Sequence, residues 1–156
     1  MVLVLDGLRD PGNLGTILRS ALAASVGLVL LAPETVDLYN PKVVRGAMGA
    51  HFRLPVLSQD WPEIASRLDG RSVWLADAEG EIAYDAIDWT VPSALIIGGE
   101  PAGAGREAAA LATRKTYIPM AHGIESLNAA MAATAILFEA ARQQRRRARS
   151  SATHLH

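Results

Sequence analysis

There is no cysteine anywhere in the chain, which excludes disulfides, thiol nucleophiles and thiolate metal sites together. Histidine is scarce: His51, His122, His154 and His156 are the four. No two of them share a helical ligand spacing within one expected element, so no metal site is expected. Long apolar runs are also missing. The strongest, Ser93–Gly99, is strand-sized and ends in glycines, far short of a membrane span. The opening Met1-Val2-Leu3-Val4-Leu5-Asp6 has no basic segment ahead of it and does not read as a signal peptide. These absences predict a soluble, cytoplasmic protein with no membrane partner. Three motif signatures are absent as well. No G-x-G-x-x-G stands in register after a strand, no Walker lysine follows a glycine loop, and no serine occupies a G-x-S-x-G elbow.

What is present is a folded composition. Half of the 156 residues are apolar and a fifth are charged, which suits one globular domain with a core of its own. We expect that domain over residues 1–147 and a disordered tail over 148–156. The formal net charge is −1, but the charges are unevenly spread. Eight acids lie between Asp60 and Asp88 against Arg67 and Arg71. After Glu139 there is no acid, while Arg142, Arg145, Arg146, Arg147 and Arg149 follow. Two readings of that run stand side by side: a phosphate-binding surface, or a solvated helix end whose cations favour the helix dipole.

The apolar periodicity alternates between strand and helix. Strands are expected at Val2–Leu5, Leu28–Leu31, Phe52–Leu57, Ser72–Ala76, Ala94–Ile97 and Thr116–Ile118. Helices are expected from about Asn13 to Ala24, from Asn40-Pro41 to about Gly46–Gly49, from Ser58 or Asp60 to Leu68, over Glu107–Ala112, and from Ser126 to about Arg147. Strands separated by crossover helices predict an α/β fold, with a mostly parallel sheet and helices on both faces. Ligands of such sheets gather at the carboxyl ends of the strands. The three chemically loaded segments all follow an expected strand: Asp6–Gly15, Gly98–Gly105 and Pro119–Asn128. One site built from three loops follows.

Each loop offers particular groups. In the first, Asn13 caps a helix or presents its amide to a ligand, and Gly15 admits a close backbone approach. Arg19 is six residues past Asn13 on roughly the same side of the helix, where a guanidinium suits a phosphate or carboxylate. In the second, Glu100 after Gly98-Gly99 suits a hydroxyl, an amine or an arginine better than a phosphate. In the third, Ser126 is placed to cap the last helix, its free amides facing a ligand, and Asn128 reaches the same space. Met120 is a core filler or a contact to a sulfur-bearing ligand, and His122 is a candidate base. Each of these also has a purely structural reading as cap, turn or surface charge.

The three segments, taken in order, resemble the three motifs of the SpoU/TrmH branch of the SPOUT methyltransferases. Asp10-Pro11-Gly12-Asn13-Leu14-Gly15-Thr16-Ile17-Leu18-Arg19 is similar to the first. Ile97-Gly98-Gly99-Glu100-Pro101-Ala102-Gly103 is similar to the second. Ile118-Pro119-Met120 with Ser126-Leu127-Asn128 is similar to the third. Pro41–Ala50 resembles the family's helix before its third strand, and the likeness runs from Leu5 to about Ala141. The resemblance implies a C-terminal trefoil knot, which sequence periodicity alone does not foretell. It implies S-adenosylmethionine as cofactor, held around Ala76, Ile97, Gly98, Gly99, Ile118, Pro119, Met120, Ser126 and Leu127. It implies a homodimer with the last helix in or beside the interface, and methyl transfer to a ribose 2′-hydroxyl of ribosomal or transfer RNA. In that reading Arg19 is the central catalytic residue. A guanidinium stays protonated at physiological pH, so a role as phosphate partner is preferred to one as free base. Asn13 orients the ribose or phosphate, Glu100 fixes Arg19 or Asn13, and Ser126 and Asn128 orient the substrate. The sequence departs from the pattern at Asp10, Pro101 and Ala129-Ala130. A base-methylating relative and a non-catalytic RNA- or cofactor-binding module are the competing readings.

Overall fold

The computed structural model describes residues 1–99, 101 and 103–153. Seven strands form one sheet in the order β3-β2-β1-β6-β4-β7-β5. They are β1 (Val2–Asp6), β2 (Leu28–Leu31), β3 (Val56–Ser58), β4 (Ser72–Ala76), β5 (Ile82–Ala83), β6 (Ser93–Gly98) and β7 (Arg114–Tyr117). Every pairing in the sheet is parallel. Among the described residues α1 (Pro11–Ala23), α2 (Pro41–Ala47), α3 (Trp61–Leu68) and α4 (Arg106–Leu111) lie between strands, and α5 (Ala129–Thr153) follows β7.

Alternation along the strands sorts the core into two layers. Leu3, Leu5, Val29, Leu31, Leu95 and Ile97 point to the side covered by α1, α2 and α5. Val2, Val4, Leu30, Val73, Leu75, Ala94 and Ile96 point to the side covered by α3 and α4. Period-2 side chains buried on both faces are what a parallel sheet between helical layers requires. The chain lays β1, β2 and β3 outward toward one edge, then places β6 beside β1 and continues through β4, β7 and β5. The carboxyl ends of β1, β6, β4 and β7 thus stand next to one another.

Several boundaries differ from those expected, each for a local reason. Asp10, not Asn13, caps α1: its Oδ1 accepts the Asn13 amide at 2.7 Å, with Pro11 in the first turn. Asn128, not Ser126, caps α5: its Oδ1 accepts the amides of Ala130 at 2.9 Å and Met131 at 3.2 Å. That helix runs to Thr153, so residues 148–153, expected to be disordered, are helical; arginine is a good helix former. The strand expected at Phe52–Leu57 is confined to Val56–Ser58. Ahead of it, Met48 and Gly49 take left-handed backbone angles and Ala50–Phe52 forms a 3-10 turn that buries Ala50. The two-residue β5 is too short to show a period in the sequence. Asp60 opens α3 with a full capping box to Glu63.

Side chains of α5 also hold the segment before β6. Gln143 Oε1 accepts the Trp89 amide at 2.9 Å, and Gln143 Nε2 donates to the Ile87 carbonyl at 2.9 Å. Arg147 donates to the Thr90 carbonyl at 2.8 Å, so one member of the arginine run serves the fold.

Candidate active site

The loop after β6 crosses β1 at van der Waals limits. Gly99 N donates to the Asp6 carbonyl at 2.8 Å, and Gly105 N donates to the Asp6 carboxylate at 2.6 Å. A Cβ on Gly99 would sit 2.2 Å from the Gly7 carbonyl oxygen, and one on Gly98 would sit 2.3 Å from the Ala104 nitrogen. Only glycine fits either position. Asp6 therefore ties β1 to this loop, a role its place at the end of an apolar strand signals in hindsight.

Beside the crossing lies a cavity of about 780 Å³, within the size range of small-molecule and cofactor sites. Its walls come from the loops after β4, β6 and β7 and from the first turns of α5. Of the expected cofactor residues, Ala76, Ile97, Gly98, Gly99, Ile118, Met120, Ser126 and Leu127 line it. Pro119 does not, and is exposed. Asn128 is at the lining, while Glu100 lies outside the described residues. His122 is exposed, at φ 59°, and is not among the lining residues.

The first turn of α1 is joined to the cavity lining by a side-chain bond. Asn128 Nδ2 donates to Asn13 Oδ1 at 3.1 Å, joining residues 115 apart in sequence. With Asp10 doing the capping, the Asn13 side chain is left for this bond. Arg19 is not at the cavity. It is exposed and makes no hydrogen bond or ion pair with a described residue. It lies one turn beyond Gly15, whose backbone touches α2: a Cβ on Gly15 would meet Gly46 Cα and the Val43 carbonyl at 2.9 Å. The expected three-loop site is thus a cavity flanked by Asn13, with Arg19 farther along α1.

On the β4 side of the cavity the sequence pointed to Ala76 but not to the charged groups beside it. Asp77 and Lys115 line it and form an ion pair at 2.7 Å. The hydrogen bond from Lys115, aided by the Glu79 amide, holds the Asp77 carboxyl below its ordinary range. The same bond raises the Lys115 ammonium. An acid directly after a strand was the available signal. Ala132 and Ile136 of α5 also line the cavity. Glycine backbone, aliphatic side chains and a few polar groups at one rim are suited to a ligand that is part flat and apolar, part charged. Among the described residues no group of acids and histidines could hold a metal ion.

The model of the SpoU rRNA methylase family matches residues 1–138. The chain belongs to that family. It is 37% identical to human mitochondrial rRNA methyltransferase 3, over 95% of this chain and 48% of that protein. It is 38% identical to the 23S rRNA (guanosine(2553)-2′-O)-methyltransferase RlmP of Bacillus subtilis (strain 168), over 88% of this chain and 56% of that one. Among solved structures, the SpoU methyltransferase AviRb from Streptomyces viridochromogenes, in complex with the cofactor AdoMet, superposes with a TM-score of 0.84. It is 36% identical, over 94% of this chain and 61% of that chain. The chain spans about half the length of the curated relatives it matches.

Proposed function

We propose that this chain is the catalytic domain of an S-adenosylmethionine-dependent methyltransferase that modifies a ribose 2′-hydroxyl of RNA, with ribosomal RNA as the target. The observation that carries the reading is the cavity at the carboxyl ends of β4, β6 and β7 with the Asn13–Asn128 pair at its edge. Family members of matching sequence are named 2′-O-methyltransferases. The cradle fits the donor. Gly98 and Gly99 expose backbone where any Cβ is excluded, Ile97, Ile118 and Leu127 offer flat apolar contact for a purine, and Asp77, Lys115 and Ser126 offer polar partners for a sugar and an amino-acid end. When bound, the sulfonium supplies an activated methyl group.

The chain's own residues then have three tasks. They hold the ribose hydroxyl in line with the donor, exclude water, and ease loss of the hydroxyl proton. Asn13 and Asn128, bonded to each other, present amide groups of fixed orientation to the ribose. Arg19, exposed and without a bond to any described residue, takes an RNA phosphate and stabilises charge developing on the attacking oxygen. Glu100, by its place in the second motif, holds Arg19 or Asn13 in position. Ser126 steers the substrate from the opposite loop. A homodimer belongs to the same reading. Met131 and Phe138 of α5 are exposed and seven residues apart, so they share a face that a second copy would cover. The trefoil knot belongs to it too, formed by the segment between β7 and α5. So does a cytoplasmic location; no helix among the described residues is long and apolar enough to cross a membrane.

The test is methyl transfer from labelled donor to RNA from cells lacking the gene, followed by alkaline hydrolysis. Label in an alkali-resistant linkage is expected, at one site of ribosomal RNA. Label on a base beside an alkali-labile linkage would overturn the reading. Arg19→Ala at saturating donor should lower the rate by at least about a hundredfold; a rate within threefold of the parent removes Arg19 from the mechanism.

A further inference from the structure

Four of the ten exposed large apolar side chains among the described residues fall between positions 39 and 52: Tyr39, Val44, Met48 and Phe52. Phe52 is 92% exposed, Tyr39 71% and Met48 69%. Single exposed hydrophobes are ordinary, but a cluster of this kind marks an interaction surface. The fold builds the cluster deliberately. Met48 holds a left-handed backbone angle, φ 50°, that a side chain of its size disfavours. The sharp turn it makes with Gly49 points the 3-10 turn's Ala50 inward and leaves Phe52 outside. His51 Nε2 donates to the Leu38 carbonyl at 2.7 Å, and its ring packs on Tyr39 with centroids 5.9 Å apart. These contacts clamp the Tyr39 segment to the turn that carries Phe52.

The charge of this knuckle is one-sided. Lys42, Arg45 and Arg53 are exposed and none is in an ion pair with a described residue. By contrast, Arg9, Arg114, Lys115 and Arg142 are each matched to a carboxylate. From Tyr39 to Arg53 the sequence carries no acid that could balance Lys42, Arg45 and Arg53. Aromatic faces interleaved with free cations suit a single-stranded nucleic acid, whose bases stack while its phosphates pair. The Gly15–Gly46 contact sets this knuckle against the helix that carries Arg19.

We infer that the α2 and 3-10 knuckle is a docking surface for single-stranded RNA flanking the target nucleotide. A base stacks on Phe52, and Lys42, Arg45 and Arg53 take the adjoining phosphates. This rests on the proposed RNA substrate and adds a subsite to it. The test is a fluorescence-anisotropy titration of a short unstructured oligoribonucleotide at several salt concentrations. Phe52→Ala should weaken binding roughly tenfold without changing the salt slope, and Phe52→Trp should restore it. Arg45→Ala with Arg53→Ala should flatten the slope of log Kd against log salt by about two. S-adenosylmethionine affinity should be unmoved in all of them, and light scattering should give the parent mass. RNA binding by Phe52→Ala within twofold of the parent overturns the inference. So does a halved mass for Phe52→Ala, which assigns the knuckle to a second copy of the chain. The two proposals fail separately. A parent that methylates RNA while Phe52→Ala binds RNA normally rejects only the docking surface. A parent that transfers no methyl while Phe52→Ala loses RNA rejects only the chemistry.

Discussion

The cavity has two walls of opposite character. The described residues of the loop after β6 are fixed by backbone: Gly99 and Gly105 bond to Asp6, Gly103 N bonds to the Gly99 carbonyl at 2.8 Å, and Gly98 and Gly99 leave no room for a Cβ. The loop after β7 is nearly the reverse. Residues 121–128 are all exposed, and its internal backbone bonding is a single 3.4 Å contact from Ile124 N to the Ala121 carbonyl. A preformed wall lowers the ordering cost of binding, while an exposed, weakly bonded one belongs to the low-stability part of a fold. The pair suggests a division of labour in which the β6 wall positions a ligand and the β7 wall closes over it.

The largest test attacks the fixed wall. Gly99→Ala places a Cβ against the Gly7 carbonyl, so the loop must leave β1. We expect a loss of about 3 kcal/mol in stability and loss of donor binding by calorimetry. Binding within threefold of the parent would show that the crossing is not what shapes the cavity.

A middle-sized effect tests where the loose wall is anchored. Asn128 caps α5 and also holds Asn13. Asn128→Ala should cost about 1 kcal/mol in chemical denaturation, whereas Ser126→Ala should cost less than about 0.5 kcal/mol. Equal losses would spread the anchor over the whole loop.

The smallest effect concerns the rim supplied by β4 and β7. Asp77 is depressed by its hydrogen bond from Lys115. A carboxylate depressed on folding contributes stability that is present above its unfolded pKa, near 4, and lost as pH falls through the lower folded value. Asp77→Asn should lower Tm at pH 7 by on the order of a degree. The difference from the parent should vanish in acid below the Asp77 folded pKa, and a gap that persists there would put another group in charge.

Much of this was legible in the sequence because it rests on short-range physics. The apolar runs of β1, β4 and β6, the Asn40-Pro41 start of α2 and the existence of α3 up to Leu68 are each decided by a few neighbouring residues. The caps of α1 and α5 are harder to read, because two suitable side chains compete within a few residues, Asp10 with Asn13 and Asn128 with Ser126. Which one wins depends on the turn geometry. The bonds that build the site are long-range: Asn13 with Asn128, Asp6 with Gly105, Asp77 with Lys115. No local pattern encodes such pairings. The family motifs located the cavity's glycines and its β7–α5 loop, but they are silent on Asp77 and Lys115, and they did not tell that Arg19 would stand apart from the cavity.

The touching backbones of Gly15 and Gly46 have a consequence beyond packing. With no side chain between them, α1 and α2 meet backbone to backbone at this point, and packing this close leaves little room for one helix to shift on the other. The backbone that carries Arg19 is thereby held against the element that leads to the Phe52 knuckle, and a strand engaging both would be measured by that span. On the inference drawn above, the molecule carries a ruler. It would count the nucleotides between a stacked base and the ribose to be modified, and so choose its target by spacing as well as by sequence.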